Sequence, residues 1–204
     1  KPIIFDADNG GRLEHISYLV KTVDRLGISA LIFEDKVGEK KNSLFQNQKG
    51  TQQDTIKDFC EKIKKAVVNK ISDDLLIIAR IESLILNKGL KDALKRADAY
   101  SRAGANMIMI HSKKKSPREI LAFAKKFRKS KYFKPLVAVP STYSSVKEKQ
   151  LSQNGFKIVI YANHMLRASY PAMLDVAKNI LIHKRSKEVE KKIISINDIL
   201  NLIK

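Results

Sequence analysis

Short apolar runs alternate with amphipathic helical patterns along this chain of 204 residues. The runs are rich in Ile, Val and Leu without strict alternation of apolar and polar positions, which is typical of parallel strands buried on both faces. The predicted strands cover residues 3–5, 30–33, 75–79, 107–110, 136–139 and 158–161.

Helical patterns fill the intervals between these strands. Apolar residues spaced three or four positions apart mark the first helix, over residues 13–26, and Gly27 ends it. The other predicted helices cover residues 52–68, 90–103, 117–128, 145–152, 164–182 and 196–203. Regular βα alternation predicts an α/β fold with a parallel sheet. An open doubly wound sheet accommodates six strands directly, whereas a (β/α)8 barrel requires two further units before Lys1.

No linker or low-complexity tract divides the chain, so we expect one domain over residues 1–204. Within it, residues 184–204 read as a charge-rich connection followed by a short terminal helix. Because Lys1 lies almost directly before a predicted strand, we also expect that N-terminal strands are missing from this sequence.

Polar side chains follow the predicted strands. Asp6 and Asp8 follow the first strand, Glu34, Asp35 and Lys36 the second, Arg80 and Glu82 the third, and His111 the fourth. A lone Asp at such a position is more often a helix cap, and a lone His is more often structural. Parallel α/β folds bind their ligands at the carboxyl ends of the strands, so the coincidence across several strands predicts a site there.

The residue types in this set narrow the chemistry. Asp6, Asp8 and Glu34 offer hard oxygen ligands, which suit Mg²⁺. Arg80 presents a planar fork for a carboxylate or phosphate group, and His111 can donate to a developing oxyanion. The set predicts a metal-dependent active site.

A polar loop over residues 37–50 follows the second strand and contains Lys40 and Asn42. Its composition suits a lid that closes over an anionic substrate and excludes water. The alternative is an ordinary solvated connection. Neither a P-loop nor a GxSxG elbow occurs, and the single Cys60 excludes a disulfide framework.

The formal net charge of +19 raises the possibility of nucleic-acid binding. The excess consists mostly of Lys spread through predicted helices, without interleaved aromatic residues, so we expect a solvated surface rather than a nucleic-acid face. No apolar stretch of membrane length and no signal peptide is apparent, and we expect a cytoplasmic protein with no membrane partner.

Several short motifs occur in order along the chain. They are Asp6-Ala7-Asp8, Glu34-Asp35-Lys36, Lys40-Lys41-Asn42-Ser43, Ala79-Arg80-Ile81-Glu82, His111-Ser112-Lys113 and Ala162-Asn163-His164-Met165-Leu166-Arg167-Ala168. Together they resemble the phosphoenolpyruvate phosphomutase family of the isocitrate lyase/phosphoenolpyruvate mutase superfamily. The resemblance implies a (β/α)8 TIM-type barrel, of which this chain covers about the last six units. It also implies a Mg²⁺ cofactor and a homotetramer whose paired subunits exchange their last barrel helix.

The resemblance further implies roles for the strand-end residues. Asp6 matches the carboxylate that binds Mg²⁺ directly, while Asp8 and Glu34 match residues that hold the waters of the ion. Arg80 and His111 match groups around the carboxylate and the transferring phosphoryl group of the substrate.

Lys40 and Asn42 match the lid residues of the family, whose reaction interconverts phosphoenolpyruvate and phosphonopyruvate at the start of phosphonate biosynthesis. Related phosphonopyruvate hydrolases tend to have Thr where Asn42 stands, so Asn42 favours the mutase. The hydrolase is one alternative. The other is a non-catalytic basic binding module on the same fold.

Overall fold

A computed structural model describes residues 1–38, 43 and 50–202. Its strands are β1 (Ile4–Asp6), β2 (Ala30–Glu34), β3 (Lys36–Val37), β4 (Gln52–Gln53), β5 (Leu76–Ile81), β6 (Met107–Ile110), β7 (Leu136–Ala138) and β8 (Phe156–Val159). Its α-helices are α1 (Ile16–Arg25), α2 (Ile56–Val68), α3 (Gly89–Arg102), α4 (Arg118–Phe127), α5 (Glu148–Gln153), α6 (His164–His183) and α7 (Ile196–Asn201). A 3-10 turn, Leu13–His15, precedes α1.

The main sheet has six strands in the order β1-β2-β5-β6-β7-β8, and every neighbouring pair is parallel. Each new strand is added beside the previous one along the chain. A doubly wound sheet instead reverses its strand order, so that alternative is excluded. The α/β class is confirmed, and the sheet is a curled half-barrel of the TIM type.

Successive side chains of each strand lie on opposite faces of the sheet. Leu31 and Phe33 pack into the large apolar core that includes the helices, and we call this the outer face. Ile32, Ile78 and Met109 pack together in a smaller apolar cluster on the other, inner face. Polar side chains at the strand ends follow the same alternation. Each therefore lies on the same face of the sheet as the residue two positions before it in its strand.

The largest departure from the sequence prediction is at the start of α2. We expected the helix from residue 52, but it begins at Ile56, and Gln52–Gln53 instead pair antiparallel with Lys36–Val37 as β4 and β3. The side chain of Thr55 accepts a hydrogen bond from the Asp58 amide (3.1 Å) and thereby caps the helix at its true start. We call β3 and β4 the loop stem, because they flank residues 38–51.

The chain divides into two compact units, residues 1–160 and 161–204. The second unit contains α6 and α7. No residue of α6 is buried, and several of its apolar side chains are exposed, including Met165, Leu166, Tyr170 and Met173. Among the described helices, none is both long enough and apolar enough to cross a membrane.

Candidate active site

The carboxyl ends of β1, β2 and β5 bring three predicted site residues together on the inner face. The register places Glu34 beside Arg80 on neighbouring strands. The Arg80 guanidinium lies 3.5 Å from the Glu34 carboxylate, measured from Nη2 to Oε2, and 3.9 Å from that of Asp6, measured from Nη1 to Oδ2. Glu34 is 2% exposed, whereas the Asp6 side chain is 45% exposed. The site therefore has a buried side and an open side.

Asp8 joins this group through its backbone. Its amide donates to Asp6 Oδ1 (3.0 Å), and its carbonyl accepts from the Glu34 amide (2.6 Å). Asp8 adopts a left-handed conformation with φ of 54°, which Asp tolerates better than most residues. The turn after β1 is thereby fastened to the end of β2, and three carboxyl-bearing residues lie at one place.

Glu82 lies at the buried side of the site and is fully inaccessible to solvent. Its carboxylate accepts hydrogen bonds from Arg80 Nε (2.7 Å), Lys36 Nζ (3.0 Å) and Ser43 Oγ (2.7 Å). Ser43 Oγ in turn accepts from Arg80 Nη2 (2.7 Å) and Lys36 Nζ (2.9 Å). Burial alone would raise the pKa of Glu82, but Arg80 and Lys36 outweigh burial and hold that pKa below its usual value.

The same contacts fix the charge of the guanidinium. Burial lowers the pKa of Arg80, but the carboxylates of Glu82 and Glu34 more than compensate and raise it above its ordinary value. Arg80 is therefore a permanent cation, held by Glu82 on one side and close to Glu34 and Asp6 on the other. A planar cation in this position is suited to binding a carboxylate or phosphoryl group.

His111 follows β6 and is 4% exposed. Burial and the nearby charge of Arg80 lower the pKa of His111 to about 4, so the imidazole is neutral at pH 7. Its Nδ1 atom has no hydrogen-bond partner among the residues that the structure describes. A buried ring nitrogen of this kind is available to a bound substrate.

We call these residues the inner cluster: Asp6, Asp8, Glu34, Lys36, Ser43, Arg80, Glu82 and His111. Its four carboxylates exceed its two cations by two negative charges, an imbalance that one divalent cation would match. Within the described ranges, no group of three or more His, Cys, Asp or Glu side chains forms a complete set of metal ligands. Mg²⁺ keeps several waters and uses one or two protein carboxylates, so the oxygen donors of Asp6, Asp8 and Glu34 fit this ion.

Two predicted site residues, Lys40 and Asn42, lie outside the described residues. Their described neighbour in sequence, Ser43, contacts both Arg80 and Glu82. Lys36 and Glu82 were noted as polar residues at the strand ends but received no predicted role, and Ser43 was noted only as part of a motif that carried the family resemblance. The signal for Glu82 was its position two residues after Arg80, which places both on one face.

Sequence reasoning also missed a second polar cluster, on the outer face. The Asp35 carboxylate accepts hydrogen bonds from Gln53, Arg96 and Tyr100 and from the Glu82 amide. We call Asp35, Gln53, Arg96 and Tyr100 the outer cluster. Burial raises the pKa of Asp35 to about 7 despite these donors. Its charged neighbours in sequence, Glu34 and Lys36, belong to the inner cluster.

The chain is similar in sequence and in structure to known proteins. The family model described as phosphoenolpyruvate phosphomutase matches residues 1–181. A phosphoenolpyruvate phosphomutase of Tetrahymena pyriformis is 36% identical over 98% of this chain and 66% of its own length.

Two solved structures are also similar. The crystal structure of a phosphoenolpyruvate phosphomutase from Streptomyces platensis subsp. rosaceus has a TM-score of 0.92 and 33% identity, over 98% of this chain and 69% of that chain. The crystal structure of a phosphonopyruvate hydrolase in complex with oxalate and Mg²⁺ has a TM-score of 0.86 and 34% identity, over 98% of this chain and 68% of that chain. The chain thus spans about two thirds of the length of these relatives.

Proposed function

The chain belongs to the phosphoenolpyruvate phosphomutase family, and from this premise we propose that its protein interconverts phosphoenolpyruvate and phosphonopyruvate. The reaction is an intramolecular phosphoryl transfer, in which a carbon–phosphorus bond replaces an oxygen–phosphorus bond. The observation that carries the proposal is Arg80, a permanent cation on the inner face among Asp6, Glu34 and Glu82. It offers a fork for an anionic substrate next to carboxylates that suit a divalent cation.

We propose that Mg²⁺ is the cofactor, with Asp6 as its direct ligand and Asp8 and Glu34 holding its waters. Support comes from the negative charge of the inner cluster and from the open side at Asp6. It also comes from the related hydrolase, whose structure contains Mg²⁺ and oxalate. When bound, this ion supplies electrostatic stabilisation to the enolate oxygen of the reacting substrate.

The protein residues have separate tasks in this proposal. Arg80 neutralises the substrate carboxylate and the transferring phosphoryl group, whose negative charge is spread over its oxygens. Neutral His111 donates its N–H to one of these oxygens without adding a further cation. Glu82 and Ser43 hold the Arg80 guanidinium in one orientation, so little reorganisation is needed during transfer.

We propose that Lys40 and Asn42 contact the substrate from the loop and exclude water. Water must be excluded because a phosphoryl group in transit would otherwise be lost to hydrolysis. Two facts support the assignment: the match of both residues to the family motif, and the contacts of Ser43, one position after Asn42, with Arg80 and Glu82.

Phosphonopyruvate hydrolysis is the second candidate function. The similarity to a phosphonopyruvate hydrolase at 34% identity favours it almost as strongly as the mutase. Asn42 is the residue that favours the mutase, because the hydrolases tend to have Thr at that position.

We further propose that the six strands of the main sheet (β1, β2, β5, β6, β7 and β8) belong to an eight-stranded barrel domain spanning residues 1–204, completed by two strands outside this sequence. The edge strand β1 exposes Ile4 (36%) and Phe5 (44%), which further strands would cover. We propose that the exposed apolar side chains of α6 pack against a second copy of the chain, in a homotetramer of helix-swapped dimers. The proposed compartment is the cytoplasm, where Cys60 stays reduced.

The function is tested with the complete protein and phosphonopyruvate as substrate, because equilibrium strongly favours phosphoenolpyruvate. Phosphoenolpyruvate and free phosphate are followed together in the presence of Mg²⁺. We expect phosphoenolpyruvate to dominate and Asn42→Ala to lose most turnover. Asn69→Ala, at the far end of α2, is the matched control and should keep it. If phosphate and pyruvate dominate in the wild type, the hydrolase assignment is right and the mutase assignment is wrong.

A further inference from the structure

The Asp35 carboxylate, on the outer face, joins three elements that border the active site. It is fully buried. Its Oδ1 atom accepts from the Glu82 amide (2.9 Å), just after β5. Its Oδ2 atom accepts from Gln53 Nε2 (2.8 Å) in the loop stem and from Tyr100 Oη (2.7 Å) on α3, with Arg96 Nη1 at 3.2 Å. One rigid side chain thus fixes the end of β5, the loop stem and a helix relative to one another.

The backbone of Asp35 strengthens the same connections. Its amide donates to the Arg80 carbonyl (3.1 Å), and its carbonyl accepts from the Asp54 amide (2.9 Å) directly after β4. The Asp54 carbonyl in turn accepts from Arg96 Nη1 (2.8 Å). The chain entering the loop and the chain leaving it are therefore both held at Asp35.

Further contacts close the network around the start of α3. Asp92 accepts from Arg96 Nε (2.9 Å) and from Ser83 Oγ (2.7 Å), and Gln53 Nε2 also donates to Ser83 (3.1 Å). Ser83 is the neighbour of Glu82 in sequence. The outer cluster therefore reaches the residue next to Glu82 by two routes, one through Asp35 and one through Gln53 and Ser83.

We propose that Asp35, with Tyr100 as its main support, is a positioning residue for the reaction. It sets where the loop stem and Glu82 lie, and through them where Lys36, Ser43 and Arg80 meet. Lys36 directly follows Asp35, and the Lys36 and Ser43 contacts to Glu82 hold only if the Glu82 backbone is fixed. Displacement of a positioned group by about 1 Å is enough to slow a reaction markedly. The proposal rests on the proposed mutase function for its kinetic part only.

The test compares two variants of the outer cluster with one control in the complete protein. Asp35→Asn replaces a carboxyl oxygen with an NH₂ group, so that a donor faces the donors of Gln53 and Tyr100. Tyr100→Phe removes one hydroxyl while the ring remains buried, so it serves if Asp35→Asn does not fold. The control is Asp24→Asn, because Asp24 also accepts backbone hydrogen bonds, from Ile71 (2.6 Å) and Ser72 (3.0 Å), on a different part of the molecule.

The first measurement is hydrogen exchange of the amides at Gln52–Gln53 and Asp54, which needs no activity. We expect exchange there to rise at least about tenfold in Asp35→Asn and Tyr100→Phe and to stay unchanged in Asp24→Asn. Equal exchange in all three variants and the wild type would overturn the proposal, whatever reaction the protein catalyses.

The second measurement is the kinetic one, starting from phosphonopyruvate. We expect kcat to fall about tenfold in Tyr100→Phe with KM changed less than about twofold, and the share of free phosphate to rise. The control should leave kcat, KM and the product ratio unchanged. A purely structural role would lower thermal stability in all three variants without changing kcat or the product ratio, and that result would refute the positioning role. A wild type that makes no phosphoenolpyruvate would refute the mutase function, while the exchange result would still decide the positioning of the stem.

Discussion

Glu34 and Asp35 are neighbours in sequence, yet their carboxylates lie in two different environments on opposite faces of one strand end. The Asp35 carboxylate is surrounded by donors of the protein itself, from Gln53, Arg96 and Tyr100. The Glu34 carboxylate lies near Arg80, in a cluster that carries excess negative charge and opens to solvent at Asp6. In the first environment, groups of the folded protein supply the hydrogen-bond donors to the carboxylate. The second opens to solvent at Asp6 and carries a charge that a ligand can match.

The difference shows why charge alone does not identify a catalytic residue. Both clusters place a carboxylate at the end of a parallel strand, where active sites occur, close to an arginine. What separates them is the strand alternation, which directs even-numbered residues inward and odd-numbered residues outward between positions 30 and 35. Substitutions in the inner cluster should therefore act directly on ligand binding and turnover, whereas substitutions in the outer cluster should lower stability and act on turnover only through the position of the loop stem and Glu82.

The largest expected effect is at the open side of the inner cluster. Asp6→Asn keeps the size of the side chain but removes a charged oxygen ligand. We expect kcat/KM to fall about a thousandfold, equivalent to about 4 kcal/mol, and the Mg²⁺ requirement to rise. Because the Asp6 side chain is 45% exposed, the free energy of unfolding should change by less than about 0.5 kcal/mol. Turnover is measured against Mg²⁺ concentration in the complete protein.

The control for this prediction is Asp73→Asn, which changes an exposed carboxylate outside both clusters and should leave turnover intact. Unchanged Mg²⁺ dependence and turnover in Asp6→Asn would show that the inner cluster does not bind the ion through this residue.

The next effect concerns the outer cluster. Arg96→Met removes the cation beside buried Asp35 and the hydrogen bond to the Asp54 carbonyl. We expect the free energy of unfolding to fall by about 3 kcal/mol, because removal of one partner leaves buried polar groups unsatisfied. Urea unfolding measures it. Lys95→Met, an exposed position next to Arg96 on the same helix, is the control and should change stability by less than about 0.5 kcal/mol. Equal losses in both variants would show that the outer cluster is not a structural unit.

The sequence predicted the six sheet strands closely, because buried parallel strands leave dense apolar runs that are hard to mistake. It also predicted that Asp6, Glu34 and Arg80 belong to one site, and the structure brings these three together. The loop stem was missed because two-residue strands have no periodicity to detect. The outer cluster was missed because Tyr100 lies sixty-five positions after Asp35, and no local pattern joins residues so far apart.

A smaller effect follows from the pKa of His111. Its value of about 4 in the folded protein is below the usual 6.5, so the folded protein resists protonation more than the unfolded chain. The contribution of His111 to the free energy of unfolding is therefore fully present above about pH 6.5 and is lost as the pH falls toward 4. We expect the wild type to lose about 2 kcal/mol more than His111→Asn between pH 7 and pH 5. Urea unfolding of both proteins at the two pH values, without Mg²⁺, measures this difference. If the two proteins lose the same stability, His111 is not held neutral by burial in the inner cluster.

The smallest effect tests whether the turn that carries the inner carboxylates depends on packing at the outer face. Gly10 and Gly11 follow Asp8 and have nearly the same left-handed conformation, with φ of +76° and +74°. An alanine side chain therefore meets the same backbone strain, about 1 kcal/mol, at either position. At Gly10 its Cβ would also lie 2.8 Å from Ile16 Cδ1 and 2.9 Å from Phe33 Cδ1, whereas at Gly11 no atom lies within 4 Å. We expect Gly10→Ala to lower the free energy of unfolding by about 1 kcal/mol more than Gly11→Ala, which is the overpacking cost of a methyl group in a filled core.

Urea unfolding of the two variants isolates this difference, because the shared strain cancels. Equal losses would mean that Ile16 and Phe33 move aside freely, and the turn would then be independent of the outer core.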